Sequence, residues 1–254
     1  LSQHEGFSPP AKEGGRELVA YVSRSDATAP RASSGAADKI VTSSNLNLAL
    51  TVGCELSCVY CNCRYFGESG SPTMAADVAH RVIKSFRRDG FEELSFFGGE
   101  PTLHPQLADS IAWAKELGYE QIMLTSNGLR LENHGLAHDL IAAGLGRCLL
   151  TLSSLDSVIE DLLCGEPGTH KRKLRGLESI LDAARDSSCP PSIGVNLLLA
   201  KPTLPRLSAT LRWLYGIGVR EFGLDFVWPM ARIVRNQSFV PRYREAANIL
   251  LDVL

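Results

Sequence analysis

Three cysteines, Cys54, Cys58 and Cys61, lie close enough in sequence for one short loop to ligate a metal cluster. A cubic 4Fe–4S cluster has four irons, each of which takes one ligand besides its sulfides, and cysteine thiolates usually supply it. Three thiolates would leave the fourth iron open to a small molecule. Clusters that only transfer electrons usually have four cysteine ligands, so this spacing indicates chemistry at the metal.

A zinc site is the main alternative for this loop. Cys63 lies two residues beyond Cys61, and with it the loop offers four sulfurs to one tetrahedral ion. Structural zinc sites usually take their ligands from two separated pairs, and no second Cys or His pair follows in the sequence. Cys63 is too close in sequence to Cys61 to be the fourth ligand of the same cube. We therefore expect Cys63 to be a small residue beside the site without a role as a ligand. Buried, unliganded cysteines are a further alternative.

A second chemical motif, the string Gly98-Gly99-Glu100-Pro101, follows an apolar segment. Glycines at a strand end allow the backbone to approach a ligand closely. The alternative is an ordinary turn between a strand and a helix. Residues 125–127, Thr-Ser-Asn, place hydroxyl and amide groups after the next apolar segment, where a solvent-facing turn is again the alternative.

The elements that must position these motifs alternate between strand and helix from about residue 46. Six strands are predicted, at residues 46–52, 94–97, 122–125, 148–152, 193–199 and 222–227. Thr73 is the expected N-cap of the first helix, with Gly90 just past its end. Strict alternation predicts an α/β fold with a parallel sheet, curled into an open, partial (β/α)6 TIM-like barrel with helices outside. Chemistry is then expected at the C-terminal strand ends, where both motifs fall.

Composition narrows the class of protein. A chain of 254 residues suits one large α/β domain or two small ones, and a net charge of −2 gives no footprint for a nucleic-acid backbone. We find no apolar run long enough for a membrane span and no secretory signal. Seven cysteines, four of them within ten residues, fit a reduced, cytoplasmic protein with a metal site rather than a disulfide framework.

The domain organisation follows from the same patterns. We expect an N-terminal extension over residues 1–40, with a strand at Leu18 to Val22 and a flexible stretch at 25–38. The core should span residues 41–235. A C-terminal helix is expected at 236–254, and because the chain stops inside an apolar-periodic stretch, we expect that a further C-terminal region is absent.

The cysteine loop and the glycine string together resemble the radical S-adenosylmethionine (SAM) superfamily. Its first signature is a strand followed by Cys-x-x-x-Cys-x-x-Cys with an aromatic residue, here Tyr60, before the third cysteine; residues 97–101 match its second. The resemblance covers residues 46 to about 230. It implies a 4Fe–4S cluster at Cys54, Cys58 and Cys61, and SAM bound to the free iron. Reductive cleavage of SAM would then give a 5′-deoxyadenosyl radical that abstracts hydrogen from a substrate.

The resemblance also implies roles around SAM for residues of both motifs. Backbone carbonyls at Gly98 and Gly99, with Glu100, would accept hydrogen bonds from the methionine amino group, and Pro101 would stiffen the turn. Tyr60 would lie against the adenine, and packing over the cluster is its alternative role.

Four further positions would bind SAM or substrate. Ser126 and Asn127 stand where such enzymes bind the ribose or the substrate. Residues 150–156 are similar to a stretch of the molybdenum-cofactor cyclase subgroup, in which Thr151 matches a serine that contacts SAM. Ser153 departs from that pattern by replacing an aspartate. Trp228 is the apolar candidate against the adenine, with a plain core position as the alternative.

Substrate and partners are only broadly implied. The cyclase and peptide-maturase branch suggests a peptide or a small metabolite, with flavodoxin or ferredoxin as electron donor; the reaction class (oxidoreductase, lyase or transferase) stays open. The basic run at residues 171–175 could attract an acidic substrate, but we expect a solvated helix face. His104 follows the glycine string closely, and a structural role for it is as good an interpretation as a functional one. Two alternatives remain, a zinc-stabilised binding domain without catalysis and a cluster-binding redox or iron sensor.

Overall fold

The fold is that of a computed structural model, which describes residues 20–25, 43–61, 73–227, 233 and 237–251. For residues 20–25, 43 and 44 the description covers the backbone. Cys63, Trp228 and nearly all of the stretch predicted to be flexible lie outside the described residues.

Seven strands alternate with helices along the described chain. The strands are β1 (Ala20–Ser25), β2 (Ser43–Ala49), β3 (Glu93–Phe97), β4 (Gln121–Ser126), β5 (Arg147–Thr151), β6 (Ser192–Leu199) and β7 (Glu221–Phe226). The helices are α1 (Ala76–Arg88), α2 (Leu107–Glu116), α3 (His134–Ala142), α4 (Ser157–Cys164), α5 (Thr169–Asp186), α6 (Leu207–Gly216) and α7 (Tyr243–Leu251). Short 3₁₀ turns lie at Pro101–Leu103, Leu129–Glu132, Leu204–Arg206 and Gln237–Phe239.

The described strands form one sheet in the order β1-β2-β3-β4-β5-β6-β7. Strands β2 to β7 are parallel, each paired with the next along the chain, and this confirms the predicted open (β/α)6 architecture. Strand β1 pairs antiparallel with β2 and covers the edge of the parallel sheet. Because the six parallel strands point the same way, their C-terminal ends meet at one rim.

The core lies between the sheet and the helices. Leu94 and Phe96 of β3, and Ile122 and Leu124 of β4, are buried on the side that faces the helices. Helix α1 buries Ala79 and Ile83, which lie one turn apart, as expected of an amphipathic surface helix. None of the helices in the described ranges combines the length and apolar character that crossing a bilayer requires.

One local expectation is wrong, and one helix was not anticipated. Helix α1 begins at Ala76 rather than after Thr73, and no side chain caps its N-terminus. The hydroxyl of Thr73 instead bonds to that of Thr51 at 3.2 Å, in an isolated antiparallel bridge that closes the segment between β2 and α1. Helix α4 is absent from the sequence-based assignment. It is one short amphipathic helix of eight residues, begun by Asp156, whose side chain accepts hydrogen bonds from two backbone N–H groups.

Candidate active site

A cleft of about 370 Å³ opens at the C-terminal rim of the parallel strands. Ten of the residues expected to bind the cluster or SAM line it: Cys54, Cys58, Tyr60, Cys61, Gly98, Gly99, Glu100, Ser126, Asn127 and Thr151. Pro101 is buried behind the rim, at the start of a 3₁₀ turn. The cleft therefore brings together residues that lie at or just after the C-terminal ends of β2, β3, β4 and β5.

The cysteine loop is held by the C-terminal end of α4. The backbone N–H groups of Ser57 and Val59 donate to the carbonyl oxygens of Cys164 and Leu163, at 3.1 and 2.9 Å. Gly165 follows with φ +72°, and a β-carbon there would lie 2.7 Å from the carbonyl oxygen of Ser57. The carbonyls at this helix end would otherwise lack partners, so the loop and the helix satisfy each other.

The two glycines of the second motif approach the end of β2 and the start of the cysteine loop closely. A β-carbon on Gly99 would lie 2.1 Å from the carbonyl oxygen of Gly53, and one on Gly98 would lie 2.7 Å from the β-carbon of Ala49. Two backbone hydrogen bonds join the segments, from Gly99 N–H to Thr51 O at 3.0 Å and from Glu100 N–H to Gly53 O at 2.7 Å. The missing side chains therefore serve first to seat the cysteine loop against the end of β3.

Glu100 ties the ends of β3 and β4 together. Its Oε1 accepts hydrogen bonds from the backbone N–H and the hydroxyl of Thr102 and from the Ser126 hydroxyl, and its Oε2 accepts one from the Asn127 N–H at 2.8 Å. Burial nevertheless raises the pKa of this carboxyl, because desolvation outweighs the hydrogen bonds. Both carboxylate oxygens of Glu100 are thus used in hydrogen bonds that hold the ends of β3 and β4 in position.

The segment after β4 faces the first cysteine. Asn127 places its Nδ2 3.4 Å from Glu55 Oε2 and 3.8 Å from Cys54 Sγ, and its Oδ1 accepts from the Leu129 N–H at 2.9 Å. Ser126 is buried, donates to Glu100 and accepts from the Gly128 N–H at 3.0 Å. The Asn127 amide is therefore the more accessible of the two polar groups.

Tyr60 is half-buried at the wall of the cleft. Its ring contacts an apolar cluster that includes Leu163, Leu198 and Val227. Burial raises the pKa of Tyr60 well above its ordinary range, and the neighbouring Cys58 raises it further. The ring therefore packs beside the cysteine loop and also lines the cleft.

A buried lysine lies behind the same loop, and it overturns part of the expectation for the basic run. Lys173 is only 2% exposed, and its ammonium donates to Glu160 Oε1 at 2.8 Å and to Cys164 Sγ at 3.1 Å. Arg172 and Arg175 do remain at the surface. A helical periodicity could have revealed the difference, because residue 173 lies four and seven positions before the buried Leu177 and Ile180.

The thiols of the loop differ in acidity. The neighbouring Cys164 thiol, together with the positive charge of Lys173, lowers the pKa of Cys58 to about 7. Desolvation by the surrounding protein raises the pKa of Cys54 to about 11. Since metal ligation requires the thiolate, Cys58 is the thiol of this pair that is closer to its ligating form.

The donor set fits an iron–sulfur cluster. Three thiols from one loop line a single cleft, and thiolates are the usual ligands of such clusters. In the described part of the chain, no three Cys, His, Asp or Glu side chains are arranged to hold one metal ion. A tetrahedral zinc ion requires its ligands to converge on a point, whereas the irons of a cube are separate, and each thiolate reaches its own.

Other residues of the cleft were not anticipated. Asp225, near the end of β7, lines it, and burial raises the pKa of its carboxyl. Phe226 and Val227 line the wall where Trp228 was expected. His104 lies outside this lining and bonds through Nε2 to Met74 O at 2.8 Å, which is a structural contact.

Sequence comparison gives a family match over most of the sheet. The family model described as the Radical SAM superfamily matches residues 48–198. A probable GTP 3′,8-cyclase of Saccharolobus solfataricus is 31% identical over 236 residues, covering 83% of this chain and 73% of the relative. One from Methanococcus maripaludis strain S2 is 29% identical over 184 residues, covering 72% of this chain and 59% of the relative. The chain thus spans between about three fifths and three quarters of the length of these two relatives.

Structural comparison gives the same fold. The crystal structure of Streptococcus suis SuiB bound to S-adenosylmethionine matches with a TM-score of 0.64 and 15% identity, covering 81% of this chain and 47% of that one. Native anSMEcpe with bound AdoMet and Cp18Cys peptide matches with a TM-score of 0.66 and 16% identity, covering 82% and 58%. These similarities confirm the partial-barrel architecture.

Proposed function

The chain belongs to the radical SAM superfamily, whose cofactors are a 4Fe–4S cluster and SAM, and we propose that Cys54, Cys58 and Cys61 hold that cluster in the rim cleft. Membership confirms the resemblance found in the sequence. It does not favour a zinc-stabilised binding domain or a non-catalytic sensor. The observation that carries the proposal is that the three thiols line one cleft at the C-terminal rim together with Gly98, Gly99 and Glu100.

The bound cluster supplies the electron that splits SAM into methionine and a 5′-deoxyadenosyl radical, which abstracts hydrogen from the substrate. The protein supplies position and the exclusion of water. Gly98 and Gly99 bring the end of β3 against the cysteine loop, so that backbone groups beside them are available to the methionine amino group. Glu100 keeps this rim rigid through its bonds to Thr102, Ser126 and Asn127.

We assign the remaining SAM contacts to polar and apolar residues of the same cleft. Asn127 and Thr151 offer amide and hydroxyl groups at the ends of β4 and β5, in the same cleft as the cysteine loop. We propose that Ser126 helps to hold Glu100 in place through its hydrogen bond, and that Tyr60 packs beside Cys58 in the cysteine loop. Trp228, which lies outside the described residues, remains our candidate for contact with the adenine.

The substrate is proposed as a peptide or a small molecule. Relatives named probable GTP 3′,8-cyclase favour a small molecule, and the similarity to SuiB and anSMEcpe is compatible with a peptide. We further propose a flavodoxin or ferredoxin as electron donor and a cytoplasmic location. We also propose that the chain is divided into an N-terminal extension (1–40), a core (41–235) and a C-terminal helix (236–254).

The experiment is anaerobic reconstitution of the chain with iron and sulfide, followed by reduction in the presence of SAM. We expect a brown protein with about four irons and four sulfides per chain, and the release of 5′-deoxyadenosine and methionine, measured by mass spectrometry. A colourless protein that retains zinc would overturn the proposal. A cluster-loaded protein that leaves SAM intact would instead favour a sensor.

A further inference from the structure

One carboxylate at the wall of the cleft takes no part in the SAM contacts proposed above. In the described part of the chain, three charged side chains line the cleft, those of Glu100, Lys173 and Asp225. Both oxygens of Glu100 accept hydrogen bonds from the rim, and the Lys173 ammonium is paired with the buried Glu160 at 2.8 Å. Protein groups therefore satisfy the first two side chains, which leaves Asp225.

The Asp225 carboxylate has no partner within the ranges that the structure describes. It forms neither an ion pair nor a side-chain hydrogen bond there, and it is exposed on the side of the cleft. The wall around it partly desolvates the carboxyl and raises its pKa, and no positive charge among these residues opposes the effect. An unpaired, partly desolvated carboxylate in a cleft is a candidate for contact with a ligand.

Apolar side chains flank this carboxylate. Asp225 lies beside Leu198 in the register of β6 and β7, and both residues line the cleft. Val227, two positions further along the chain, lines it as well, as expected because alternate residues of an extended chain share a face. Leu198 and Val227 belong to one buried apolar cluster. A ligand group at Asp225 therefore meets a negative charge set in an apolar surface.

A second polar group lies on the same face of the sheet, one step further from the rim. Asn196 pairs with Gly223 in the register of β6 and β7, and a β-carbon on Gly223 would overlap the amide oxygen of Asn196. Since Gly223 and Asp225 are alternate residues of β7, Asn196 and Asp225 project from one face, roughly 6–7 Å apart along the strand direction. The Asn196 amide, too, has no side-chain hydrogen bond to the rest of the described chain.

This arrangement selects for a positively charged group. The Asp225 carboxylate and the Asn196 amide oxygen both accept hydrogen bonds, and a charged acceptor strengthens its bond to a cationic donor. The apolar surface of Leu198 and Val227 suits the carbon stem that carries such a donor. A phosphate or carboxylate group would instead be repelled by Asp225, so the same residue discriminates against anions.

We propose that Asp225, assisted by Asn196, binds a cationic nitrogen of the substrate, an ammonium or guanidinium group on an apolar stem. The inference rests on the proposed function, because it places the substrate in the cleft that holds the cluster and SAM. The polar SAM contacts proposed above come from the ends of β2 to β5, whereas Asp225 and Asn196 lie on the last two strands of the sheet. A free amine and the basic side chain of a peptide share this chemistry, and the test distinguishes them.

The test is isothermal titration calorimetry of the reconstituted, SAM-loaded full chain. The probes are n-butylamine with n-butanol as its neutral counterpart, and N-acetyl-lysine N-methylamide with N-acetyl-norleucine N-methylamide. We expect at least one cation to bind about tenfold or more tightly than its neutral counterpart, and Asp225→Asn to abolish that preference. Asp186→Asn, the same change at an exposed residue at the end of α5, should retain it. Selective binding of n-butylamine alone indicates a free amine, and that of the lysine derivative alone a peptide.

A charge reversal keeps the inference testable should Asp225→Asn fail to load a cluster. Asp225→Lys should prefer N-acetyl-glutamate N-methylamide over the lysine derivative. Equal or absent binding of charged and neutral probes, or an unaltered preference in the Asp225 variants, would overturn the inference, while cluster content and SAM cleavage show whether the proposed function stands. Weaker SAM binding in Asp225→Asn with unchanged probe preference would assign the carboxylate to SAM and also overturn it. A wild-type chain that takes up no cluster would overturn both proposals.

Discussion

Gly99 and Gly53 touch backbone to backbone, since a β-carbon on Gly99 would lie only 2.1 Å from the carbonyl oxygen of Gly53. The end of β3 and the start of the cysteine loop are therefore one unit. Two backbone hydrogen bonds, to Thr51 O and Gly53 O, hold them together. The two sequence motifs that indicate radical chemistry are thus physically joined in the fold.

The first prediction tests that contact. Gly99→Ala should displace the cysteine loop, reduce the iron bound after reconstitution and lower the free energy of unfolding by about 1–3 kcal/mol, as overpacking usually does. Iron content and urea denaturation measure the two effects. Gly216→Ala is the matched control, because a β-carbon there meets no atom within 4 Å. Full iron content in Gly99→Ala would contradict the importance of the close approach.

The second prediction concerns the cluster ligands. Alanine at Cys54, Cys58 or Cys61 should abolish the cluster absorbance and the formation of 5′-deoxyadenosine, because a cube with two protein ligands is weakly held. Cys63→Ala should keep both. The exposed Cys189 provides the control, since its replacement by alanine should change neither. Loss of the cluster on changing Cys63 but not Cys54 would show that the ligands are wrongly assigned.

The third prediction is a pH dependence at Glu100. Burial raises the pKa of its carboxyl, so the folded chain keeps the proton to a higher pH than the unfolded chain does. The unfolded state then binds fewer protons, and the contribution of Glu100 to the free energy of unfolding falls as pH rises through the raised pKa. Urea denaturation of the cluster-free chain between about pH 4 and pH 8 should show the stability difference between wild type and Glu100→Gln shrinking with pH. A difference that grows with pH would mean that the hydrogen bonds outweigh burial.

The fourth prediction concerns the buried ion pair. Lys173→Met leaves the Glu160 carboxylate buried without its cation, and we expect a loss of about 3–5 kcal/mol in the free energy of unfolding. Adding Glu160→Gln should restore much of it, because no unpaired charge then remains. Arg172→Met, at an exposed ion pair with Glu132, should cost less than about 1 kcal/mol. Urea denaturation of the four chains checks this, and a mild effect of Lys173→Met alone would be the contrary result.

Much of the fold could be predicted from the sequence because parallel strands that are largely buried on both faces, such as β3 and β6, give short apolar runs, and the segments between them have helical periodicity. The observed bounds of β3 and β6 differ from the predicted ones by one residue. The start of α1 was missed because Thr73 is taken by Thr51, a partner 22 residues away. Helix α4 was missed because eight residues give too little periodicity to recognise.

The candidate site was predictable where its residues form local motifs and not where they act through long-range contacts. The cysteines and the glycines are recognisable by spacing alone. Lys173 was hidden in a basic run, and its partners Glu160 and Cys164 come from the preceding helix. The seating of Gly99 against Gly53 involves residues 46 positions apart, and only the folded chain shows that contact.

The backbone hydrogen bonds between α4 and the cysteine loop affect how the metal centre assembles. The Ser57 and Val59 amides are bonded to the end of α4 through protein atoms alone, so folding itself restricts the conformational freedom of the main chain around Cys58. Iron and sulfide then meet a preorganised receptor, and their uptake should require little ordering of this part of the polypeptide. Chelators would accordingly strip the metal while leaving the circular dichroism spectrum of the barrel largely intact.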